Sequence, residues 1–352
     1  MNRKLEPAKP CCYSCRRSCG WIVSRERRHL RLDGSRTPRR FMSNKLNNTK
    51  YNLLSFIPMV LFNQFKFFYN LFFLAIALSQ FIPALKVGFL ITYVSPLAFV
   101  LVVTLFKEAS DDLKRYSKDK ELNNAKIEYL NRKKKEWQMK SSASLRVGDL
   151  IKVYQNQRIP TDCVLLHTTE KNGTVFIRTD QLDGETDWKL RSAVIGTQSM
   201  EPVEMCGRKD VTLVANAPND QIYDFKGFMA YGMDLDQAQK EPLGLENTLW
   251  QNTVLASTGY IVAQVIYTGK ETRSEMNSKS TSTKVGKLDL ELNRLSKFLF
   301  VLMVIISFGI VALDHFRGRW YVNVFRFVLL LSAIIPISLR VNLDMAKIYY
   351  CY

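Results

Sequence analysis

The sequence predicts a multi-pass α-helical membrane protein with four transmembrane helices and a mainly-β soluble domain inserted between the second and the third. Three observations carry that prediction. Apolar residues make up 47% of the 352, but they are segregated into long blocks on either side of a strongly polar middle. Those blocks come as two pairs, each joined by a short connector. The polar middle contains short runs of β-branched and aromatic residues punctuated by Gly, Pro and Asn, a pattern of strands and turns.

Residues 1–50 read as a basic, disordered cytoplasmic arm. They hold fourteen Lys or Arg against Glu6, Glu26 and Asp33, within a chain of net charge +18. Such an arm suits an anionic membrane face or nucleic acid. The apolar blocks that follow favour the membrane. Aromatic residues among the cations are few, Tyr13 and Trp21 among them, so no nucleic-acid partner is expected. Cys11, Cys12, Cys15 and Cys19 cluster in the arm. A zinc site on Cys12, Cys15 and Cys19 lacks a second pair at ribbon spacing, and no metal site is expected. S-palmitoylation and plain unmodified thiols both stay open.

A bilayer core takes about 20 mostly apolar residues in a helix. The first transmembrane hairpin is expected over 51–106, with spans at 67–82 and 89–106 turning near Pro83 and Lys86. The second is expected over 298–347, with spans at 298–313 and 322–341 joined through Asp314, His315, Arg317 and Arg319. Lys and Arg crowd the arm and both ends of the middle segment, which puts these in the cytoplasm by the positive-inside rule. The fourth span, FRFVLLLSAIIPISLRVNLD, buries Pro336 in an apolar run. A proline there removes one N–H and frees the carbonyl of Ser332, and freed groups in lipid need partners. A broken helix with Ser338 nearby is either an ordinary kink or the start of a substrate site. Arg326, near the luminal end, is expected to snorkel.

The middle, 107–297, opens with a charged helical stretch, KEASDDLKRYSKDKELNNAKIEYL. Strands are expected at 150–154, 163–167, 174–178, 253–257 and 260–267, with a turn at Thr258-Gly259 and a surface loop over 233–243. Within it lies FIRTDQLDGETDWKLR, residues 176–191. Asp183-Gly184 is a turn dipeptide after a strand, and it would present Glu185 and Thr186 at a tip where Gly184 admits close approach. An exposed glutamate at such a tip can orient and deprotonate a water, although most such loops are only solvated turns.

Taken together, the motifs resemble those of the type-IV P-type ATPases, the phospholipid flippases. VGDLIKV (147–153) with IPTD (159–162), DGET (183–186), ENTLW (246–250), YTG (267–269) and PISL (336–339) occur in the family's order over about residues 50–347. DGET in place of the ion pumps' TGE is the separating signature. The variant DGETDWKLR and the string PISLRVNLD are similar to the branch that holds the yeast protein Neo1 and the animal ATPases IIA and IIB. Thr161 and Ala333 depart from the family's common alanine and asparagine.

The resemblance implies that 107–297 is the cytoplasmic actuator domain. It implies that Glu185 positions the water that hydrolyses an aspartyl-phosphate, with Asp183, Gly184 and Thr186 shaping the loop. It further implies that a phospholipid head group passes along Ala333, Pro336, Ile337, Ser338 and Leu339, with Ile337 as a hydrophobic gate. Family members use ATP and Mg2+. They phosphorylate an aspartate in DKTGT, a string that is absent from these 352 residues. The chain alone, with a tail at 348–352, is therefore expected to be inactive and to hold neither ATP nor Mg2+: a partial gene model, a splice form or one piece of a full enzyme. The branch implies Golgi, trans-Golgi or endosomal membranes and no accessory glycoprotein subunit. Two other readings are a catalytically dead membrane protein that binds partners, and an ion-transporting fragment. The latter calls for a carboxylate in the fourth-helix motif, which Ile337-Ser338-Leu339 lacks.

Overall fold

The computed structural model describes residues 27–33, 41–86, 89–235, 237–278, 286–316, 318–335, 342–343, 345–346 and 349. The chain divides into two compact units, residues 1–47 with 118–280, and residues 48–117 with 281–352. In chain order the elements are β1 (Arg28–Arg31), α1 (Phe56–Phe65), α2 (Phe68–Ser79), α3 (Leu90–Asn124), β2 (Lys126–Asn131), β3 (Glu136–Ser141), β4 (Leu150–Tyr154), β5 (Asp162–Thr168), β6 (Thr174–Arg178), β7 (Trp188–Ser192), α4 (Ile195–Gln198), α5 (Pro202–Met205), β8 (Val211–Ala215), β9 (Gly227–Tyr231), β10 (Gln239–Leu243), β11 (Thr248–Leu249), β12 (Val254–Leu255), β13 (Tyr260–Tyr267), α6 (Arg273–Asn277), α7 (Lys287–Leu313) and α8 (Trp320–Leu331).

The first unit is built on a six-stranded antiparallel sheet in the order β11-β5-β13-β4-β2-β3. Side chains alternate across a strand, and here both faces are covered. In β5, Val164 and Leu166 enter a core shared with the four-stranded sheet β1-β8-β9-β10. The intervening Cys163 and Leu165 enter a second core, shared with the three-stranded sheet β12-β6-β7. That explains why β5 reads as a continuous apolar run. Cys163 and Cys206 are free and buried.

Several sequence expectations shift. Residues 27–33 are not part of a structureless arm: β1 pairs antiparallel with β8, and Leu30 and Leu32 reach the first core. Arg28 is buried because its guanidinium pairs with Glu271 and lies 4.5 Å from the centroid of Phe41. Residues 41–47 also belong to this unit. Asn44 donates to Ser142 O (3.0 Å) and accepts from Gly269 N–H (3.0 Å). Gly269 in the YTG string has φ +58°, and a Cβ there would stand 2.2 Å from Ser43 O, so only glycine fits under this segment. The charged helix stops at Asn124, and IEYL belongs to β2 rather than to the helix. Part of the expected surface loop is β10, an edge strand that tolerates Pro242. The turn at Gly259 is present, with φ +78°. Cys11, Cys12, Cys15 and Cys19 lie outside the described residues.

In the second unit, α3 and α7 are long and apolar enough to cross a membrane. The pair α1 and α2 would add a third span if counted as one, but it bends by 101°. No proline causes the bend. Phe67 is extended, and the backbone around the break is satisfied by side chains: Asn293 Oδ1 accepts from Phe68 N–H (2.8 Å), and Asn70 donates to Gln64 O (2.9 Å). α8 has 12 residues, about 18 Å, short of a ~30 Å hydrocarbon core. Among the described residues the expected four spans are therefore two, or three with the bent pair. The core of this unit is Phe72, Ile76, Met303, Leu329 and Ile335. Beyond the end of α7, Trp320 and Tyr321 meet edge-on (6.1 Å), the amphipathic aromatic types typical of a membrane interface.

Candidate functional site

The hairpin of β6 and β7 carries the site. Arg178 pairs with Trp188, and residues 179–187 close the loop. Leu182 and Asp183 N–H both donate to Thr179 O (2.8 and 3.1 Å), folding the chain back. Gly184 then takes φ +79°; a Cβ would meet nothing within 4 Å, so glycine is needed for the dihedral and not for space. Asp183 Oδ1 accepts from Glu185 N–H (3.1 Å), an Asx-type turn that locks the tip.

One ammonium organises the carboxylates. Lys189 Nζ lies 2.5 Å from Asp183 Oδ2 and 2.8 Å from Glu185 Oε2. The Tyr223 hydroxyl makes longer contacts, 3.4 Å to Asp183 and 3.5 Å to Glu185, and Lys189 Nζ lies 5.3 Å from its ring centroid. Asp183 is nearly covered, with a side chain 7% exposed, while that of Glu185 is 56% exposed. Burial works against the Asp183 carboxylate, but the bonds from Lys189 and from Glu185 N–H outweigh it and hold its pKa below the usual range. Burial likewise opposes the Lys189 charge, and the hydrogen bonds to Asp183 and Glu185 outweigh it, so its pKa is raised. Thr186 and Asp187 are exposed. The tip thus offers one oriented, accessible carboxylate, held together with its covered neighbour by a single shared cation.

Behind the loop, three of the motif strings converge. Asp162 of IPTD, Trp250 of ENTLW and Tyr267 of YTG surround Arg273, all buried. Asp162 Oδ2 is 3.8 Å from Arg273 Nη1, and the guanidinium carbon is 4.0 Å from the Trp250 ring centroid and 5.0 Å from that of Tyr267. Arg273 donates to Gln221 O (3.3 Å) and Asp224 O (3.2 Å), and Trp250 Nε1 donates to Ile222 O (3.1 Å). The segment that carries Tyr223 is therefore pinned from beneath.

The other predicted residues belong to the second unit. Ala333 lies in a 3-10 turn, Ser332–Ile334, that follows α8. Ser332 Oγ donates to Leu329 O (2.5 Å) as the helix ends. Pro336, Ile337, Ser338 and Leu339 lie outside the described residues. Among the described residues no group of three or more His, Cys, Asp and Glu side chains could hold a metal ion. Lys189 already bridges the two carboxylates of the tip, an arrangement that does not suit ATP with Mg2+. The sequence reading missed Lys189 and Tyr223. The first had a signal, a cation four residues after Glu185; the second, far along the chain, had none.

Residues 25–94 match the family described as phospholipid-translocating ATPase N-terminal, and residues 122–281 match the P-type ATPase actuator domain. The probable phospholipid-transporting ATPase IIB of Homo sapiens is 49% identical over 347 residues, 96% of this chain and 30% of that protein. The phospholipid-transporting ATPase NEO1 of Saccharomyces cerevisiae is 47% identical over 314 residues, 89% of this chain and 26% of that protein. The phospholipid-transporting ATPase tat-1 of Caenorhabditis elegans is 30% identical over 346 residues, 92% and 30% respectively. This chain belongs to the phospholipid-transporting P-type ATPase family. It spans about 30% of the length of the curated relatives it matches. The actuator match runs from the end of α3 to past α6, and so takes in the Glu185 loop and the Arg273 cluster.

Proposed function

We propose that this chain serves ATP-driven translocation of phospholipid toward the cytoplasmic leaflet, supplying the actuator domain and the first four helices of a flippase. The observation that carries the reading is the exposed, pre-oriented Glu185 at the tip of the actuator hairpin. The aspartyl-phosphate is formed on a part of the enzyme outside these 352 residues. When the loop docks there, the Glu185 carboxylate accepts a proton from a water whose oxygen attacks phosphorus. The P–O bond to the aspartyl group breaks, inorganic phosphate leaves, and the aspartate carboxylate is regenerated. Asp183, Gly184 and Thr186 hold the loop in shape.

On this reading the N-terminal region and the actuator face the cytoplasm of Golgi or endosomal membranes, and no accessory subunit is needed. The head group passes Ala333, Pro336, Ile337, Ser338 and Leu339 while the acyl chains stay in the bilayer. Stripping a zwitterionic head group of water costs several kcal/mol or more, so the track must be partly hydrated. Alanine at 333 offers no side-chain amide, a loss that weakens head-group contacts or alters lipid preference. The test is a chimera of the yeast relative in which this chain replaces the matching segment. Glu185→Gln should accumulate phosphoenzyme from radiolabelled ATP, while the unsubstituted chimera turns over. Equal turnover of the two would remove Glu185 from the mechanism.

A further inference from the structure

We propose that Lys189 is a positioning residue for the hydrolytic step, a bridging cation that sets the Glu185 carboxylate in advance of docking, with the Tyr223 ring as its platform. The inference rests on Glu185 being the water-activating group.

A glutamate at a loop tip, more than half exposed, ordinarily samples several rotamers. A base that must meet water and phosphorus in one geometry loses rate for every unproductive rotamer. Here Glu185 Oε2 is bound to Lys189 and Oε1 faces the Tyr223 hydroxyl. The same ammonium holds Asp183 Oδ2, whose other oxygen accepts from Glu185 N–H. A single cation therefore fixes both the main chain and the side chain of Glu185.

Its mounting is rigid. Lys189 is not on the loop but on β7, paired with Ile177 of β6, whose side chain is fully buried. Tyr223 lies on the segment held from below by Arg273 and Trp250. The charged and titratable groups around the ammonium are Asp183 and Glu185 from the loop and Tyr223 from its own segment; Arg191 on β7 also acts on Asp183. Two carboxylates against one lysine keep the lysine protonated. Its charge is thus available throughout the physiological range.

The test uses the same chimera and separates two rates: phosphoenzyme formation from ATP, and phosphoenzyme decay after a chase. Decay is first-order, so it reads only molecules that folded and were phosphorylated. Lys189→Gln should slow decay about tenfold, the scale of releasing one held glutamate side chain, with formation unchanged. Lys189→Arg, which keeps a cation within reach of both carboxylates, should recover most of the rate. Tyr223→Phe retains the platform and should decay within about threefold of the unsubstituted chimera, since the hydroxyl contacts are long. If Lys189→Gln yields no phosphoenzyme, Lys189→Met supplies the measurement. Decay at the unsubstituted rate in Lys189→Gln, or an Arg variant as slow as the Gln variant, overturns the proposal. Normal decay in Glu185→Gln overturns the underlying reading instead, so the two failures are told apart.

Discussion

Arg273→Met tests the buried support of the loop. Arg273 and Asp162 are both 0% exposed and 3.8 Å apart. Methionine keeps much of the volume beside Trp250 but removes the charge and two donors, those to Gln221 O and Asp224 O. Breaking a buried pair from one side costs about 3–5 kcal/mol, because the remaining charge is left uncompensated. Asp162 keeps two backbone donors, Gln251 N–H (2.8 Å) and Arg273 N–H (2.9 Å), which holds the cost to about 4 kcal/mol. For a unit of roughly 200 residues, about 2–4 °C per kcal/mol puts the loss in Tm at about 8–16 °C.

The pH dependence has a definite sign. Burial raises the Asp162 pKa to about 6, against the opposing Arg273 charge and the two N–H donors. The folded pKa lies above the unfolded value of about 3.9, so the stability tied to this group is full below that value and is lost as pH rises through about 6. In Arg273→Met the charge that opposes the rise is gone, and the folded pKa climbs further. The variant then escapes its penalty by protonating Asp162, so its deficit should be largest at pH 8 and shrink toward pH 5. Thermal unfolding of the whole chain in detergent, followed by tryptophan fluorescence, measures this across pH 5–8. A deficit below about 1 kcal/mol, or one that stays constant with pH, refutes the pairing argument.

Other outcomes follow from single contacts. Leu32→Ala, at a fully buried position beside β1, should cost about 2–4 kcal/mol in the same unfolding assay, whereas a structureless arm would show no change. Gly269→Ala places a Cβ against Ser43 O and should expose the segment 41–47, read as faster tryptic cleavage after Lys45. Glu241→Ala removes the acceptor for Ile195 N–H (2.8 Å), Gly196 N–H (3.2 Å) and the Tyr231 hydroxyl (2.7 Å); a loss of about 2 kcal/mol is expected by denaturant titration.

Much of this was legible locally. The DGET turn, the strand at 174–178 and the spans expected at 89–106 and 298–313, which fall within α3 and α7, are written in short-range pattern and appear where the pattern puts them. What stayed hidden depends on distant partners. β1 reads RHLR, and nothing nearby announces that Arg28 will be buried; its partner Glu271 comes 243 positions later. IEYL continues a charged helix in composition, yet Lys126–Asn131 pairs with β3 and β4. The break between α1 and α2 involves Asn293, 225 positions from Phe68, so no kink residue marks it. The same holds at the site. Lys189 could be found by its spacing from Glu185, but Tyr223 arrives from the connection between β8 and β9, far along the chain.

That distribution gives the remote motifs a reason. IPTD, ENTLW and YTG contribute no group to the Glu185 tip, yet Asp162, Trp250 and Tyr267 all close on Arg273. Tyr267 also donates to Asn216 O (2.7 Å), at the start of the segment that Arg273 holds further along through Gln221 O and Asp224 O. The cluster therefore fixes both ends of the stretch that brings Tyr223 beneath Lys189. A carboxylate set to within a few tenths of an ångström needs such backing, since a displacement of about 1 Å can cost on the order of a hundredfold in rate. The physical expectation is directional: in the chimera, Arg273→Met should slow phosphoenzyme decay while leaving formation close to normal in the molecules that fold. Slowing of both steps alike would mean that the cluster serves only to fold the unit, and that the Glu185 tip is held by its own hairpin.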